Sequence, residues 1–191
     1  ASPLILASAS PRRLDLLKQI HITPNDVCPA DINEDTIKNE LPRDYVKRIA
    51  IGKADAIHAS RPDAFILSAD TTVACGRRIL PKAENEVTAR ECLKLLSGRR
   101  HRVLGGIALI TPDGHTHYRL AETIVKFKRL TPHEINAYIH SKEWHGKAGG
   151  SAIQGLAASY IGFISGSYSN VVGLSLHDTA QMLKGAGYVG K

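Results

Sequence analysis

A short apolar run that passes at once into a helix start, LILASASPRRLDLLKQI over residues 4–20, constrains this chain more than any other stretch. Leu4 to Ala7 reads as a buried strand. Ser10 has the chemistry of an N-cap, Pro11 suits the first helical position, and Leu14, Leu16, Leu17 and Ile20 give the helix one apolar side. The segment is thus strand, tight turn and helix. The charges do not serve helix stability: Arg12 and Arg13 occupy the first turn, where the helix dipole already contributes roughly +0.5 charge. An anion at the helix start resolves the conflict, because backbone N–H groups, the hydroxyls of Ser8 and Ser10 and two guanidinium forks would converge on it. Two readings stand here: a phosphate site, or a solvated Arg pair that tolerates the dipole at a cost of about 0.3–1 kcal/mol per charge.

At 191 residues the chain suits one domain, 1–191, in one or two lobes. No apolar stretch approaches the ~18–20 residues of a membrane span. No basic segment followed by an apolar run marks a secretory signal, and Cys28, Cys75 and Cys92 are odd in number and lack C-x-x-C spacing. A reducing cytoplasm is the expectation. The excess of 25 Lys+Arg over 18 Asp+Glu favours an anionic partner. Nucleic acid fits poorly, because aromatics make up only 5% and do not interleave with the Arg pairs at 77–78 and 99–100.

Farther along, Asp31, Glu34 and Asp35 crowd negative charge into an irregular stretch. A divalent cation would relieve the repulsion, and so would plain solvation of an acidic loop, the commoner case. Residues 44–59 carry Val46, Ile49, Ala50, Ala54 and Ile57 at helical spacing, with Lys53 on the same inward stripe. That ammonium must either snorkel outward or meet a buried anion. Phe65 to Cys75, FILSADTTVAC, is β-rich and apolar apart from Asp70-Thr71-Thr72 in its middle. A charged carboxylate there costs several kcal/mol unless paired, so Asp70 is the foremost functional candidate of the chain, against a role as a capping residue at a strand end or bulge.

A hairpin return at Arg77 to Leu80 is followed by Lys82 in a loop, a helix from the N-cap Asn85 to Gly98, and an antiparallel pair, Arg102 to Ile110 and His117 to Phe127, around Pro112-Asp113-Gly114. His115 and His117 share a face near its tip without a third ligand. Thr131-Pro132-His133-Glu134 is a capping box. From Glu143 to Gly173 glycines alternate with β-formers, which suggests tight turns and close approach of backbone to a ligand. Within it Gln154 can offer its amide to a base edge or simply face water. A last helix runs near Leu176 to Lys184.

Several of these pieces together resemble the Maf family of nucleoside triphosphate pyrophosphatases over nearly the whole chain. The resemblance is carried by Ser8-Ala9-Ser10-Pro11-Arg12-Arg13, by Ser68-Ala69-Asp70-Thr71, by Lys82, by Lys147-Ala148-Gly149-Gly150 with Ala152-Ile153-Gln154-Gly155, and by Gly166-Ser167-Tyr168-Ser169-Asn170-Val171-Val172-Gly173. Two positions depart from the family pattern: Ser151 replaces a usual aromatic residue, and Lys82 lies in Leu-Pro-Lys-Ala rather than Gly-Lys-Pro.

The resemblance implies a two-lobed, mixed-sheet α/β fold like that of the inosine triphosphatases, with a cleft between the lobes, and a homodimer. It implies hydrolysis between the α and β phosphates with a divalent metal cation, Mg²⁺ or Mn²⁺, yielding nucleoside monophosphate and pyrophosphate. Asp70 matches the family's catalytic aspartate, and Glu34 best matches its acidic residue after the first helix, so the metal falls to Glu34 and Asp70. Arg12, Thr71 and Gln154 match the pyrimidine-preferring branch, which acts on dTTP and UTP; the sister branch, associated with 7-methyl-GTP, has Trp where Arg12 stands. The expected substrate contacts are Ser8, Ser10, Arg12, Arg13, Lys53, Thr71, Lys82 and Gln154. Two alternatives stay open: a 7-methyl-GTP- or purine-type house-cleaning pyrophosphatase, and a non-catalytic basic regulator of cell division that binds nucleic acid.

Overall fold

A computed structural model describes residues 1–190. The chain runs β1 (Leu4–Leu6), α1 (Pro11–Gln19), β2 (Asp26–Val27), α2 (Pro42–His58), β3 (Phe65–Cys75), β4 (Arg78–Leu80), α3 (Glu86–Leu96), β5 (Arg100–Ile110), β6 (Thr116–Phe127), α4 (Pro132–Ser141), β7 (Ile161–Ser165), α5 (Tyr168–Val172) and α6 (Leu176–Gly185). The described strands form one mixed sheet in the order β2-β1-β3-β5-β6-β7, with β4 added to β3. Its spine is antiparallel: β5 pairs with β3 from Ile66 to Ala74 and with β6 along its whole length.

On its other edge β3 changes partner. Phe65 to Leu67 pair in parallel with Leu4 to Leu6 of β1, whereas Val73 to Cys75 pair antiparallel with Arg78 to Leu80 of β4. Between the two pairings, residues 68–72 have no strand beside them on that edge. The strand-to-helix turn of residues 7–10 and the first turn of α1 border the opening.

Buried apolar residues gather on both sides of this opening. One group joins α1 and α6 to β1, with Leu16, Leu17, Leu67, Leu109, Met182 and Leu183. Another joins α3 and α4 to the far ends of β5 and β6, with Leu93, Leu96, Val103, Phe127, Tyr138 and Trp144. Helix α2 lies across the sheet and buries Val46, Ile49, Ala50 and Ala54. Val46 and Ile49 each contribute roughly 1.5–3 kcal/mol of burial, and the two alanines let the helix sit close to the strands. Gly105 and Gly106 of β5 allow a comparable approach from both sides: an added Cβ would stand 1.9 Å from Asn170 Oδ1 at the first and 2.9 Å from the Val46 carbonyl at the second.

The termini of most elements follow local chemistry. Asn85 accepts from Thr88 N, and the capping box of Thr131 and Glu134 is complete. Ser10 does occupy the N-cap position of α1, in extended backbone, yet its hydroxyl makes no capping bond. Strand β5 begins at Arg100, two residues before the expected start, because Arg100 finds a register partner in Lys126. The glycine-rich stretch makes the expected tight turns, with positive φ at Gly146, Gly149, Gly150, Gly166 and Gly173. Ile161–Ser165 is a strand, Leu156–Tyr160 is a 3-10 turn, and Ser167 caps the short helix α5. The expected close approach is, at Gly149, to protein: φ is +67° and an added Cβ would lie 2.9 Å from Val73 Cγ1.

Candidate active site

A cavity of about 420 Å³ occupies the opening beside β3. The sequence-predicted site residues Ser8, Ser10, Arg12, Arg13, Glu34, Lys53, Asp70, Thr71, Lys82 and Gln154 all line it. Alternation along β3 sends Asp70 and Thr71 to opposite faces of the sheet, and at an unpaired edge both faces reach one space.

Asp70 lies within the strand and not at its end, paired in register with Gly106 of β5 and only 4% exposed. Two groups stabilise its charge. Thr72 Oγ1 donates to Oδ2 at 2.9 Å, and Lys53 Nζ stands 3.5 Å from Oδ1. Lys53 does not snorkel: it is 9% exposed, and the same ammonium is 3.5 Å from Glu34 Oε1. One cation from α2 thus bridges two carboxylates that are 36 residues apart in sequence (70 − 34).

Helix α2 also holds the loop that carries Glu34. Tyr45 Oη donates to the Glu34 carbonyl at 2.6 Å, Arg48 grips Glu40 through two bonds of 2.8 Å, and Arg48 Nη2 donates to the Asp35 carbonyl at 2.9 Å. Burial, with the charges of Asp70 and Glu34 behind it, pushes the Tyr45 hydroxyl up to about 12. Tyr118 is raised to about 12 by burial and then by Asp70. Both phenols therefore stay protonated across the physiological range; Tyr45 donates to the Glu34 carbonyl, whereas the buried Tyr118 Oη has no partner.

The two adjacent arginines differ. Arg13 is buried, with Nε donating to the Gly173 carbonyl at 2.8 Å, Nη1 to Ser8 Oγ at 3.1 Å and Nη2 to Thr71 Oγ1 at 3.0 Å. Desolvation lowers its pKa and the nearby charge of Asp70 opposes that loss. Three of its five N–H groups tie α1, β3 and the end of α5 together, so two remain for a ligand. Arg12 is half-buried, and its Nε is enclosed without any partner.

Lys82 is exposed and forms a β-bridge with Ala148, and the Ala83 amide donates to the Lys147 carbonyl at 3.1 Å. That pairing brings Lys147 to the cavity, where burial and then Arg12 lower its pKa. Nothing local in the sequence marks Lys147 as a site residue, because its approach to Arg12 depends on a bridge between distant loops. Asn170 is equally unmarked by its local pattern. It is fully buried, and its Nδ2 donates to Val103 O at 3.1 Å, Ala121 O at 3.2 Å and Thr123 Oγ1 at 3.0 Å. It thereby pins α5 to the sheet and sets the carbonyl of Gly173 that Arg13 needs.

The charged end of the cavity accordingly presents Arg12, Arg13, Lys53, Lys82 and Lys147 against Asp70 and Glu34, five cations to two carboxylates. Such a surplus beside a helix start suits a polyanion. A hard divalent cation also fits the donor set. Mg²⁺ is commonly held by one or two carboxylates, with phosphate oxygens and waters completing the shell, and Asp70 and Glu34 already share a positive charge. Among the described residues no group of three or more His, Cys, Asp and Glu side chains could enclose a metal alone. The remaining ligands would therefore come from substrate or solvent.

The other end is apolar. Val73, Val103, Val125, Ile161 and Val171 belong to one packed cluster and line it with His101; Ser151 and the exposed Gln154 also line the cavity. Ser151 leaves the cavity roomier than an aromatic residue would.

Residues 3–186 match the family described as Maf-like protein. The chain is 62% identical over 185 residues to the dTTP/UTP pyrophosphatase of Paramagnetospirillum magneticum, covering 97% of each chain. It is 55% identical to the dTTP/UTP pyrophosphatase of Caulobacter vibrioides, covering 97% of this chain and 96% of that one. In fold it resembles a HAM1 protein from Coxiella burnetii, with a TM-score of 0.54 at 15% identity over 97% of this chain and all of the other. Among the described residues no helix is long and apolar enough to cross a membrane.

Proposed function

The chain belongs to the family of Maf-like proteins, and from that membership we propose that it is a nucleoside triphosphate pyrophosphatase that hydrolyses dTTP and UTP to the monophosphate and pyrophosphate. The names of its close relatives support the substrates. So does the presence of Arg12, Thr71 and Gln154 on one cavity wall system. The observation that carries the reading is the array Asp70, Lys53, Glu34 at the mouth of α1, two carboxylates sharing one ammonium beside four further cations.

The triphosphate lies along the α1 turn, with Arg12, Lys82 and Lys147 neutralising its oxygens and the free N–H groups of Arg13 and the hydroxyl of Ser10 donating to it. Phosphoryl transfer depends mainly on positioning and on charge stabilisation, which such a cradle provides. Asp70 orients a water toward the α phosphorus and accepts its proton, and Thr72 keeps the carboxylate in place. The oxygen bridging the α and β phosphorus atoms leaves with the pyrophosphate. Glu34 and Asp70 would hold Mg²⁺ or Mn²⁺, which when bound lowers the pKa of coordinated water and offsets phosphate charge. Lys53 then turns from balancing two carboxylates to meeting the substrate. A homodimer in a reducing cytoplasm completes the reading, supported by the family resemblance and by three free cysteines.

Replacing Asp70 by Asn tests it. Pyrophosphate release from dTTP should fall by about a thousandfold or more, while calorimetric binding of dTTP in the presence of Mg²⁺ stays within severalfold. Full turnover in that variant would refute the assignment.

A further inference from the structure

His101 is the unusual group at the apolar end of the cavity. It lies two residues from Val103 on β5 and opposite Val125 of β6, so the three side chains share one face of the sheet, and all three line the cavity. The residue is 5% exposed, and its ring leans on Phe127 with centroids 5.5 Å apart and planes at 37°. Burial lowers its pKa to about 4, which leaves a neutral ring with one N–H and one lone pair. Nδ1 is fully enclosed and has no partner. Enclosed orphan N–H groups are rarer than enclosed orphan acceptors. The ring proton is therefore placed on Nε2, and Nδ1 keeps the lone pair.

A phenylalanine here would fill the same space without burying a polar atom that is left unsatisfied. The chain instead keeps a single donor among valines in the space left for a nucleobase. We propose that His101 is a specificity-determining residue, whose Nε2–H donates to a carbonyl oxygen on the edge of uracil or thymine. This rests on the cavity being a pyrimidine nucleotide site and extends that reading to a residue it does not use. Cytosine carries an amino donor where uracil and thymine carry O4, so a fixed donor at this point favours the keto bases. Gln154 can present either a donor or an acceptor, and His101 in the deduced tautomer cannot.

The test compares kcat/KM for dTTP, UTP and dCTP in the unaltered chain, in His101→Phe and in His101→Gln. The dTTP-to-dCTP ratio should fall at least tenfold in His101→Phe and stay low in His101→Gln, whose amide can accept from the cytosine amino group as readily as it donates to a carbonyl oxygen. Nitrogen-15 NMR reads the same contact without turnover. In Asp70→Asn protein, the His101 ring should carry its proton on Nε2, and that proton should move downfield when dTTP binds. An unmoved ratio with normal turnover of dTTP overturns the proposal alone. So does a proton found on Nδ1, or an Nε2–H signal unaffected by saturating dTTP. Failure of the unaltered chain to hydrolyse either dTTP or UTP overturns the pyrimidine reading, and this proposal falls with it.

Discussion

The two ends of the cavity are built by opposite means. At the phosphate end charged side chains are wired to distant parts of the chain: Arg13 reaches Ser8, Thr71 and Gly173, and Lys53 joins Glu34 to Asp70. At the base end the walls are valines and isoleucine, and the one buried polar ring has a nitrogen with no partner at all. On the proposed reading the cross-linked charges would fix where atoms react, because removing one member leaves its buried partners uncompensated. The sparse apolar wall would select the base, through one or two contacts worth about 1 kcal/mol each. Substitutions at the first end should therefore be severe and poorly additive, and those at the second modest and selective.

The largest effect after loss of Asp70 is expected for Lys53→Met. It leaves two carboxylates facing one another and withdraws a cation from the substrate, so kcat/KM for dTTP should drop about a hundredfold, roughly 3 kcal/mol. Unchanged kcat and KM would erase the contrast between the two ends. Arg13→Lys tests whether the wiring is itself structural. A lysine cannot satisfy three partners in different directions, so thermal unfolding should show about 2 kcal/mol of lost stability together with weaker activity. A Tm within 1 °C of the unaltered chain would mean that the three bonds contribute little. The smallest effect belongs to Gln154→Ala, which should change the dTTP-to-purine preference about fivefold with little effect on the rate with dTTP. A loss confined to kcat with dTTP would assign Gln154 to the phosphate end.

How far the sequence foretold this arrangement depends on how local each cause is. Asp70 and Lys53 stood out because each breaks an apolar pattern, and a charge in such a pattern needs a partner; their mutual contact is the resolution of both anomalies. The sequence left Glu34 balanced between solvated loop and ligand, and its neighbours Asp31 and Asp35 are indeed exposed. The difference arises from Tyr45 and Arg48, which hold the loop from a helix of separate sequence. Arg13 was legible as a cation at a helix start but not as a buried tie, since its Nε partner Gly173 lies 160 residues away. The glycine-rich stretch was legible as turns but not as the short helix α5. Its β-formers Val171 and Val172 are recruited into that helix once Asn170 plugs into the sheet, a long-range bond that overrides local preference.

The change of partner along β3 has a thermodynamic corollary. A strand whose middle lacks a neighbour on one side is a seam the polypeptide leaves unsewn. A nucleotide bound there, as proposed above, would link occupancy to folding: the protein would be most robust with the slot filled, and its susceptibility to unfolding would track the nucleotide supply around it.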